Sequence, residues 1–309
     1  MIVTVTLNPA LDKTMEIDDF SVERVNREKK SRVDAGGKGI NVSKVIKELG
    51  GASIATGFLA GNSGNFIKEQ LDQFGIQNDF VFTNGETRTN LKVVDLKNKT
   101  YTDINENGPI ISEEDLKNVE NKMNKYLVDG SVLVLSGSIP KNLNKDLYCK
   151  MIISAKEIGA KVILDADGEL LKEGLQAGPY LVKPNIDELE RLYGVKLKTN
   201  EEIIECAKKL FNYGIEVVVV SLGGEGSIFI TEDNTAMVEP IKVDVKSTVG
   251  AGDSMVAALA LSIDENYLFD KVIRLAVASG TGAVTMEGTQ APSIDKVLKI
   301  YDEVKYALI

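Results

Sequence analysis

The fold is decided by four short apolar runs: SVLVLSG (131–137), KVILDAD (161–167), YLVKPN (180–185) and EVVVVSLGG (216–224). Each run is nearly continuous in Val, Ile and Leu, and a helical or turn segment follows each of them. Strands of this composition that alternate with helices are typical of a parallel sheet buried on both faces. We therefore predict an α/β fold with a mainly parallel central sheet.

The same pattern continues on both sides of this stretch. IVTVTL (2–7) and SIATGFLAG (53–61) are predicted strands, and apolar residues at helical spacing predict a helix from Gly39 to Gly50. The next predicted helix carries Ile67, Leu71 and Phe74 on one face. Three closing helices are predicted at residues 250–262, 267–284 and 293–306.

Two β-rich excursions, at about 10–35 and 86–106, do not follow this alternation of strands and helices. The second contains an alternating hairpin that turns at Lys97-Asn98-Lys99. We expect the excursions to form a small antiparallel lid over the carboxyl edge of the main sheet, so that residues 1–309 make one domain. Because such a lid has an apolar face and little core, we expect it to bury that face in a homodimer.

The composition excludes several classes of function. The chain has no histidine, which rules out a Ser-His-Asp hydrolase, a Cys-His protease and an imidazole base. Its 36 basic and 46 acidic side chains give a net charge of −10, which argues against a nucleic-acid partner. Two isolated cysteines make neither a disulfide framework nor a zinc site. Without a leader or an apolar membrane segment, we expect a cytoplasmic protein with no membrane partner.

The strongest local signal is STVGAGDS (247–254), which leads into a predicted helix. Gly250, Ala251 and Gly252 let the backbone approach a ligand closely, and the helix directs its unpaired N–H groups at the same point. These features predict an anion cradle. Asp253 is interpreted as a base that accepts a proton from a hydroxyl attacking a phosphorus atom in the cradle, although an Asp here could also be a simple cap.

Two further motifs each contain a lysine, one among glycines and the other at a predicted helix start. AGGKGIN (35–41) is neither a Walker A motif nor a dinucleotide fingerprint, and it is either a polar ligand site or a tight turn with a solvated Lys38. Lys183-Pro184-Asn185 with Glu188 also fits a capping box.

The remaining signals are weaker. SLGGEG (221–226) is either a turn or a nucleotide cradle, and Asp12 and Arg88 are weak candidates alone. Asp165 and Asp167 end a strand; we interpret them as turn residues rather than metal ligands.

AGGKGIN and STVGAGDS together resemble the paired signatures of the ribokinase-like sugar kinases, in their phosphofructokinase-B branch. TLNPALD, GETRTN, SGSIP, VKPNIDELE and SLGGEG follow in the order of that family. The resemblance implies a ribokinase-like three-layer domain with a β lid, which phosphorylates a sugar phosphate with ATP and Mg²⁺; K⁺ or another monovalent cation is a further cofactor that it allows. NPALD, GGKG and TDINENGP are similar to the 1-phosphofructokinases, which convert fructose 1-phosphate to fructose 1,6-bisphosphate.

The resemblance also implies roles for individual residues. Asp253 would be the catalytic base, and the amides of Gly250, Ala251 and Gly252 would receive the developing phosphoryl charge. The sugar would contact Asp12, Gly37 and Asn41, and its phosphate would contact Arg27, Lys38, Arg88 and Ser138. ATP would contact Lys183, Asn185, Ser221, Gly223, Gly224, Gly226, Ser247, Thr248 and Gly252. Asn185 and Glu188 would organise Mg²⁺ through water.

Alternative functions remain at this stage. Tagatose 6-phosphate or fructose 6-phosphate could be the acceptor, since the sequence does not fix where the substrate phosphate lies. A sugar-phosphate sensor could use the same cradles, but Asp253 would give it no benefit. A nicotinamide dehydrogenase would share the sheet, yet its fingerprint glycines are absent.

Overall fold

The computed structural model describes all 309 residues. The central sheet has eleven strands. They are β1 (Ile2–Thr6), β4 (Ser53–Ala60), β5 (Gln77–Asn78), β6 (Val81–Thr83), β9 (Val132–Ser136), β10 (Lys161–Asp165), β11 (Leu181–Val182), β12 (Val217–Ser221), β13 (Ser227–Ile230), β14 (Thr235–Val238) and β15 (Tyr306–Leu308). The small sheet contains β2 (Ala10–Ile17), β3 (Lys30–Gly36), β7 (Arg88–Asp95) and β8 (Thr100–Asn105).

The central sheet is mainly parallel, as predicted. Its strand order is β15-β14-β13-β12-β11-β10-β9-β1-β4-β5, with β6 beside the end of β4. The pairings from β12 through to β5 are parallel, and β13, β14 and β15 continue the sheet in antiparallel fashion. Parallel strands bring their carboxyl ends to one edge, where loops can converge on a ligand.

Helices cover both faces of this sheet. They are α1 (Lys38–Glu48), α2 (Gly61–Gln73), α3 (Glu113–Tyr126), α4 (Leu147–Glu157), α5 (Gly168–Leu175), α6 (Ile186–Tyr193), α7 (Asn200–Lys208), α8 (Ala251–Asp264), α9 (Phe269–Val284) and α10 (Ile294–Tyr301). Strand β9 illustrates the three layers, because Leu133 packs in the core under α3 to α7 while Val134 packs in the core under α1 and α8 to α10. Both cores are apolar, which explains the nearly continuous Val, Ile and Leu runs of the strands.

The two β excursions form the separate four-stranded sheet, in the order β3-β2-β7-β8. Two of its three pairings are antiparallel hairpins, and the central pairing of β2 with β7 is parallel. We call this sheet the lid. Its first strand, β2, begins four residues after β1 ends, so a short connection joins the lid to the carboxyl edge of the central sheet.

Two details differ from the predictions. The last helix ends at Tyr301 rather than near residue 306, because Tyr306–Leu308 extend the sheet edge by pairing with β14. Phe74 does not share the buried face of Ile67 and Leu71: α2 ends at Gln73, and Phe74 is 51% exposed. None of the helices combines the length and the apolar composition that a membrane span requires.

Candidate active site

The GAG segment forms the N-terminus of α8. Gly250 has φ +84 and precedes the first helical residue, Ala251. The first amide of α8 with an intrahelical partner is that of Ser254, which donates to the Gly250 carbonyl at 2.9 Å. The preceding N–H groups are therefore available to an anion, and the helix dipole favours negative charge at the same point.

Asp253 lies buried at this helix start, with 6% of its surface exposed. It is not a side-chain cap of α8. Its Oδ2 accepts a 2.8 Å hydrogen bond from the Asn41 amide of α1. Burial raises the pKa of Asp253 to about 6, although the nearby Lys38 opposes the rise. The carboxylate is thus more basic than that of an exposed Asp, which suits a group that accepts a proton.

The AGGKGIN segment brings α1 against β1. Gly37, with φ +118, precedes α1, and a Cβ on Gly39 would lie 2.5 Å from Thr6 Oγ1 and 2.8 Å from the Val5 carbonyl oxygen. Only glycine permits this approach at position 39, so the motif is a tight strand-to-helix turn. The turn also sets Lys38 and Asn41 beside Asp253.

The lid presents a polar row toward this turn. Its register aligns Asp34, Asp12, Asn90 and Asn105 across the four strands, and cross-strand partners share one face of a sheet. Asn90 donates a 3.0 Å hydrogen bond to Asp12 Oδ1, and burial raises the pKa of Asp12. A Cβ on Gly36 would lie 2.1 Å from Asp12 Oδ2. Such a row of carboxylates and amides suits the hydroxyls of a sugar.

Arg88 lies at one side of this row. Its guanidinium donates to the Asn8 carbonyl at 3.1 Å and to the Glu106 carbonyl at 3.4 Å. The Asn8 side chain in turn donates to Ser138 Oγ at 3.4 Å. Arg88 and Ser138 therefore both contact Asn8. A partly desolvated guanidinium beside a hydroxyl is a suitable pair for a phosphate group.

The second lysine motif lies against the cradle. Lys183 is 6% exposed, and its Nζ lies 3.2 Å from where a Cβ on Gly252 would be. The amide of Ser221 donates to the Pro184 carbonyl at 3.0 Å, which joins this motif to SLGGEG. Gly223, Gly224 and Gly226 form the turn from β12 to β13, and Ser247 and Thr248 directly precede the cradle.

Asn185 and Glu188 form the capping box of α6. Asn185 Oδ1 accepts from the Glu188 amide at 2.8 Å, and Glu188 Oε2 accepts from the Asn185 amide at 2.9 Å. Burial raises the pKa of Glu188, and Asp165 adds to the rise. No group of three or more acidic or thiol side chains converges on a metal position. A cation with these residues would need further ligands from phosphate and water.

Comparison with known proteins identifies the family. The model of the pfkB family carbohydrate kinases matches residues 5–296. The chain belongs to this family. Three similar proteins are a 1-phosphofructokinase of Borreliella burgdorferi (39% identical; 93% of this chain and 92% of the relative), a 1-phosphofructokinase of Bacillus subtilis (37%; 99% of both) and a tagatose-6-phosphate kinase of Staphylococcus epidermidis (35%; 99% of both).

Solved structures agree with this assignment. The kinase is similar to phosphofructokinase-2 from Escherichia coli in complex with substrates and products, with a TM-score of 0.93, 32% identity and 98% of both chains covered. The tetrameric inhibited form of the same protein gives a TM-score of 0.90 at 31% identity, again over 98% of both chains. The predicted ribokinase-like fold is confirmed, and the protein is a carbohydrate kinase rather than a dehydrogenase or a sensor.

One predicted site residue lies away from the others. Arg88 lies beside Ala10, the first residue of β2. Arg27 lies at the opposite end of this strand, because it precedes Lys30, which pairs with Glu16. Six residues of strand separate the two ends by about 20 Å. Arg27 is also exposed, so within one chain it does not lie beside Arg88.

Sequence reasoning missed three residues of this site. Asn8 joins Arg88 to Ser138, and Asn90 holds Asp12. Asp165, interpreted as a turn residue, is instead buried between Lys38 and Lys183. The only available signal for Asn90 was its alternation with Arg88 in the predicted lid strand, which puts both on one face.

Gly36→Ala should weaken the acceptor side of the site. The new methyl group must displace the Asp12 carboxylate, since it would lie 2.1 Å from Asp12 Oδ2. We expect kcat/KM for the sugar phosphate to fall about 100-fold, as for a misplacement of about 1 Å, with KM for ATP unchanged. Steady-state kinetics with each substrate varied would measure both. Ala52→Ser is the control, because Ala52 is exposed before the amino end of β4, at the edge of the central sheet opposite the site. Equal losses in the two variants would contradict this role of Gly36.

Proposed function

We propose that this kinase transfers the γ-phosphoryl group of ATP to fructose 1-phosphate and forms fructose 1,6-bisphosphate. The observation that carries the proposal is the buried Asp253 at the N-terminus of α8, held by Asn41 of the neighbouring α1. A base and a set of free amides at the same helix start suit in-line attack of a hydroxyl on a phosphoryl group.

The acceptor would lie between the lid and α1. Asp12, fixed by Asn90, would accept hydrogen bonds from sugar hydroxyls, with Gly37 and Asn41 completing the wall. Arg88 and Ser138 would hold the substrate phosphate, and Lys38 would lie between that phosphate and the cradle. The similarity to two 1-phosphofructokinases supports fructose 1-phosphate as the acceptor. Tagatose 6-phosphate is the second candidate, because a similar tagatose-6-phosphate kinase covers the whole chain; fructose 6-phosphate is the third.

In the proposed reaction the acceptor oxygen forms a bond to the γ-phosphorus as the bond from this phosphorus to the β-phosphate oxygen breaks. Asp253 accepts the hydroxyl proton, and ADP leaves. The amides of Gly250, Ala251 and Gly252 would stabilise the charge on the transferring group. Lys183 would contact the ATP phosphates, and Ser221, Gly223, Gly224, Gly226, Ser247 and Thr248 would line the nucleotide. The lid would exclude water, so that ATP is not hydrolysed.

Magnesium would neutralise the phosphates of ATP in this site. Asn185 and Glu188 fit an ion that keeps its waters, because each uses one side-chain oxygen in the capping box and Glu188 retains Oε1. We also propose a monovalent cation such as K⁺, since a similar phosphofructokinase-2 has been solved with potassium. Because ATP and sugar phosphates are metabolites of the cytoplasm, we propose that the kinase works there.

We further propose that the lid forms a homodimer. On the face opposite the polar row, the register aligns Val33, Lys13, Leu91 and Ile104. Val33 is 40% exposed and Ile104 is 55% exposed, so this apolar face is incompletely covered in one chain. In such a dimer Arg27, at the exposed end of the lid, could contact a sugar phosphate only in the other copy.

Ile104→Asp should dissociate this dimer, because a charge would enter the buried apolar face. We expect a light-scattering mass near twice 33.5 kDa for the wild type and a shift toward 33.5 kDa for the variant. Ile110→Asp is the control, since Ile110 is 70% exposed but lies outside the lid. A wild-type mass near 33.5 kDa at working concentration would contradict the dimer.

Phosphorus NMR of the reaction product tests the proposed activity. With fructose 1-phosphate, ATP and Mg²⁺, we expect the single sugar phosphomonoester signal to be joined by a second one of equal intensity as ADP forms. Release of inorganic phosphate instead, with no second ester, would mean that water rather than the sugar accepts the phosphoryl group.

A further inference from the structure

Asp165 is a buried carboxylate that the proposed mechanism does not use. It ends β10 and is 3% exposed. Its Oδ2 accepts a 3.1 Å hydrogen bond from Lys38 Nζ, and its Oδ1 lies 3.5 Å from Lys183 Nζ. One carboxylate therefore contacts both lysines of the site, and it uses a different oxygen for each.

The two lysines belong to different halves of the site. Lys38 opens α1, beside Asn41 and the lid, and its side chain is 40% exposed. Lys183 follows β11 and lies against Gly252 of the cradle. Asp165 consequently spans the boundary between the acceptor half and the nucleotide half.

A purely structural role explains this arrangement poorly. The end of β10 is already fixed by its backbone, because the Asp165 carbonyl accepts from the Gly137 amide at 3.0 Å. Burying a carboxylate with two ammonium groups carries a large desolvation cost, and apolar residues of similar volume often stabilise a fold as well. The ion triad is better explained by what it does to the lysines.

We propose that Asp165 is a positioning residue for phosphoryl transfer, which holds Lys38 and Lys183 on the two sides of the Gly250–Gly252 cradle before phosphates arrive. This inference rests on the proposed function. Without the carboxylate, the two ammonium groups would repel each other, and each would gain freedom to leave the cradle. With it, the cations are in place when the substrates bind, so that less reorganisation accompanies the reaction.

Asp165 also acts on the proposed base through its charge. The charged and polar groups that face Asp253 come from α1, β10 and the segment after β11; they are Lys38, Asn41, Lys44, Asp165 and Lys183. Asp165 is the one like charge among them and raises the pKa of Asp253, whereas both lysines of the triad lower it. Removing the Asp165 charge should therefore lower the pKa of Asp253.

The test is the pH dependence of kcat in Asp165→Asn. We expect kcat to fall about 10- to 100-fold, the usual effect of removing a group that orients a functional residue. We also expect the acid limb of the kcat profile to move to lower pH, because the like charge that raises the pKa of Asp253 is gone. Asp167→Asn is the matched control, because Asp167 is exposed two residues later and should leave both quantities unchanged.

Three outcomes would overturn the inference. A lower kcat with the acid limb at its wild-type position would indicate a structural role alone, and an unchanged kcat would exclude positioning. If Asp165→Asn does not fold, Asp165→Glu keeps the charge, and we expect an unmoved acid limb with kcat reduced several-fold; a wild-type kcat there would also contradict positioning. The wild type is measured first in the same assay. If no sugar phosphate supports turnover by the wild type, the proposed function itself fails. If the wild type is active, the variants test the role of Asp165 alone.

Discussion

Asp253→Asn is expected to lower kcat by roughly three or more orders of magnitude while ATP and sugar phosphate still bind. The substituted amide keeps an oxygen for the Asn41 hydrogen bond, so the geometry at the start of α8 should persist. What the variant loses is the group that takes the hydroxyl proton. Coupled ADP release would measure kcat, and titration calorimetry would measure the binding of each substrate.

Asp264→Asn is the matched control for this variant. Asp264 lies at the other end of the same helix and pairs with the N-terminal amino group, outside the site. In the wild type, kcat should fall as the pH decreases through about 6, because protonated Asp253 accepts no proton. Near-wild-type kcat in Asp253→Asn would contradict the assignment of the base.

Arg88→Met should produce the second largest effect, a loss of about two to three orders of magnitude in kcat/KM for the sugar phosphate. The guanidinium is oriented by the Asn8 and Glu106 carbonyls and has no carboxylate partner, so its charge is available to a phosphate. Methionine retains much of the packing but none of the charge. KM for ATP should change little, since ATP would bind at the other side of the cradle.

Lys92→Met is the control for Arg88→Met. Lys92 lies on the same face of the same strand, but it pairs with Asp103 at 3.7 Å. An unphosphorylated sugar gives a second comparison, because Arg88→Met should reduce the preference for the phosphorylated acceptor rather than all turnover. If the variant keeps the wild-type KM and kcat for the sugar phosphate, Arg88 does not hold that phosphate.

The central sheet and the cradle could be predicted because their signals are local. Buried parallel strands require uninterrupted apolar runs, and Gly250-Ala251-Gly252 before a helix predicts free amides without any knowledge of the rest of the chain. The bounds of the lid could be predicted because two β-rich segments interrupt the regular alternation of strands and helices. By contrast, β15 is a three-residue strand at the sheet edge, and only its pairing with β14 distinguishes it from the end of a helix.

Residues whose role depends on distant partners could not be predicted in the same way. Asp165 and Asp167 look alike in the sequence, yet the former is buried against Lys38, 127 residues away, and the latter is exposed. Arg27 is the reverse case: the sequence groups it with Arg88, yet about 20 Å of strand separates the two within one chain. Burial and register decide both cases, and neither is encoded in the neighbouring residues.

The most direct test of the proposed activity is coupled ADP release with ATP and Mg²⁺, run in parallel on fructose 1-phosphate, fructose 6-phosphate and tagatose 6-phosphate. We predict a clear preference for fructose 1-phosphate in kcat/KM. A preference for tagatose 6-phosphate would retain the site assignments but contradict the proposed acceptor. No ADP release above the acceptor-free rate with any of the three, while ATP still binds, would contradict the account of the acceptor site itself.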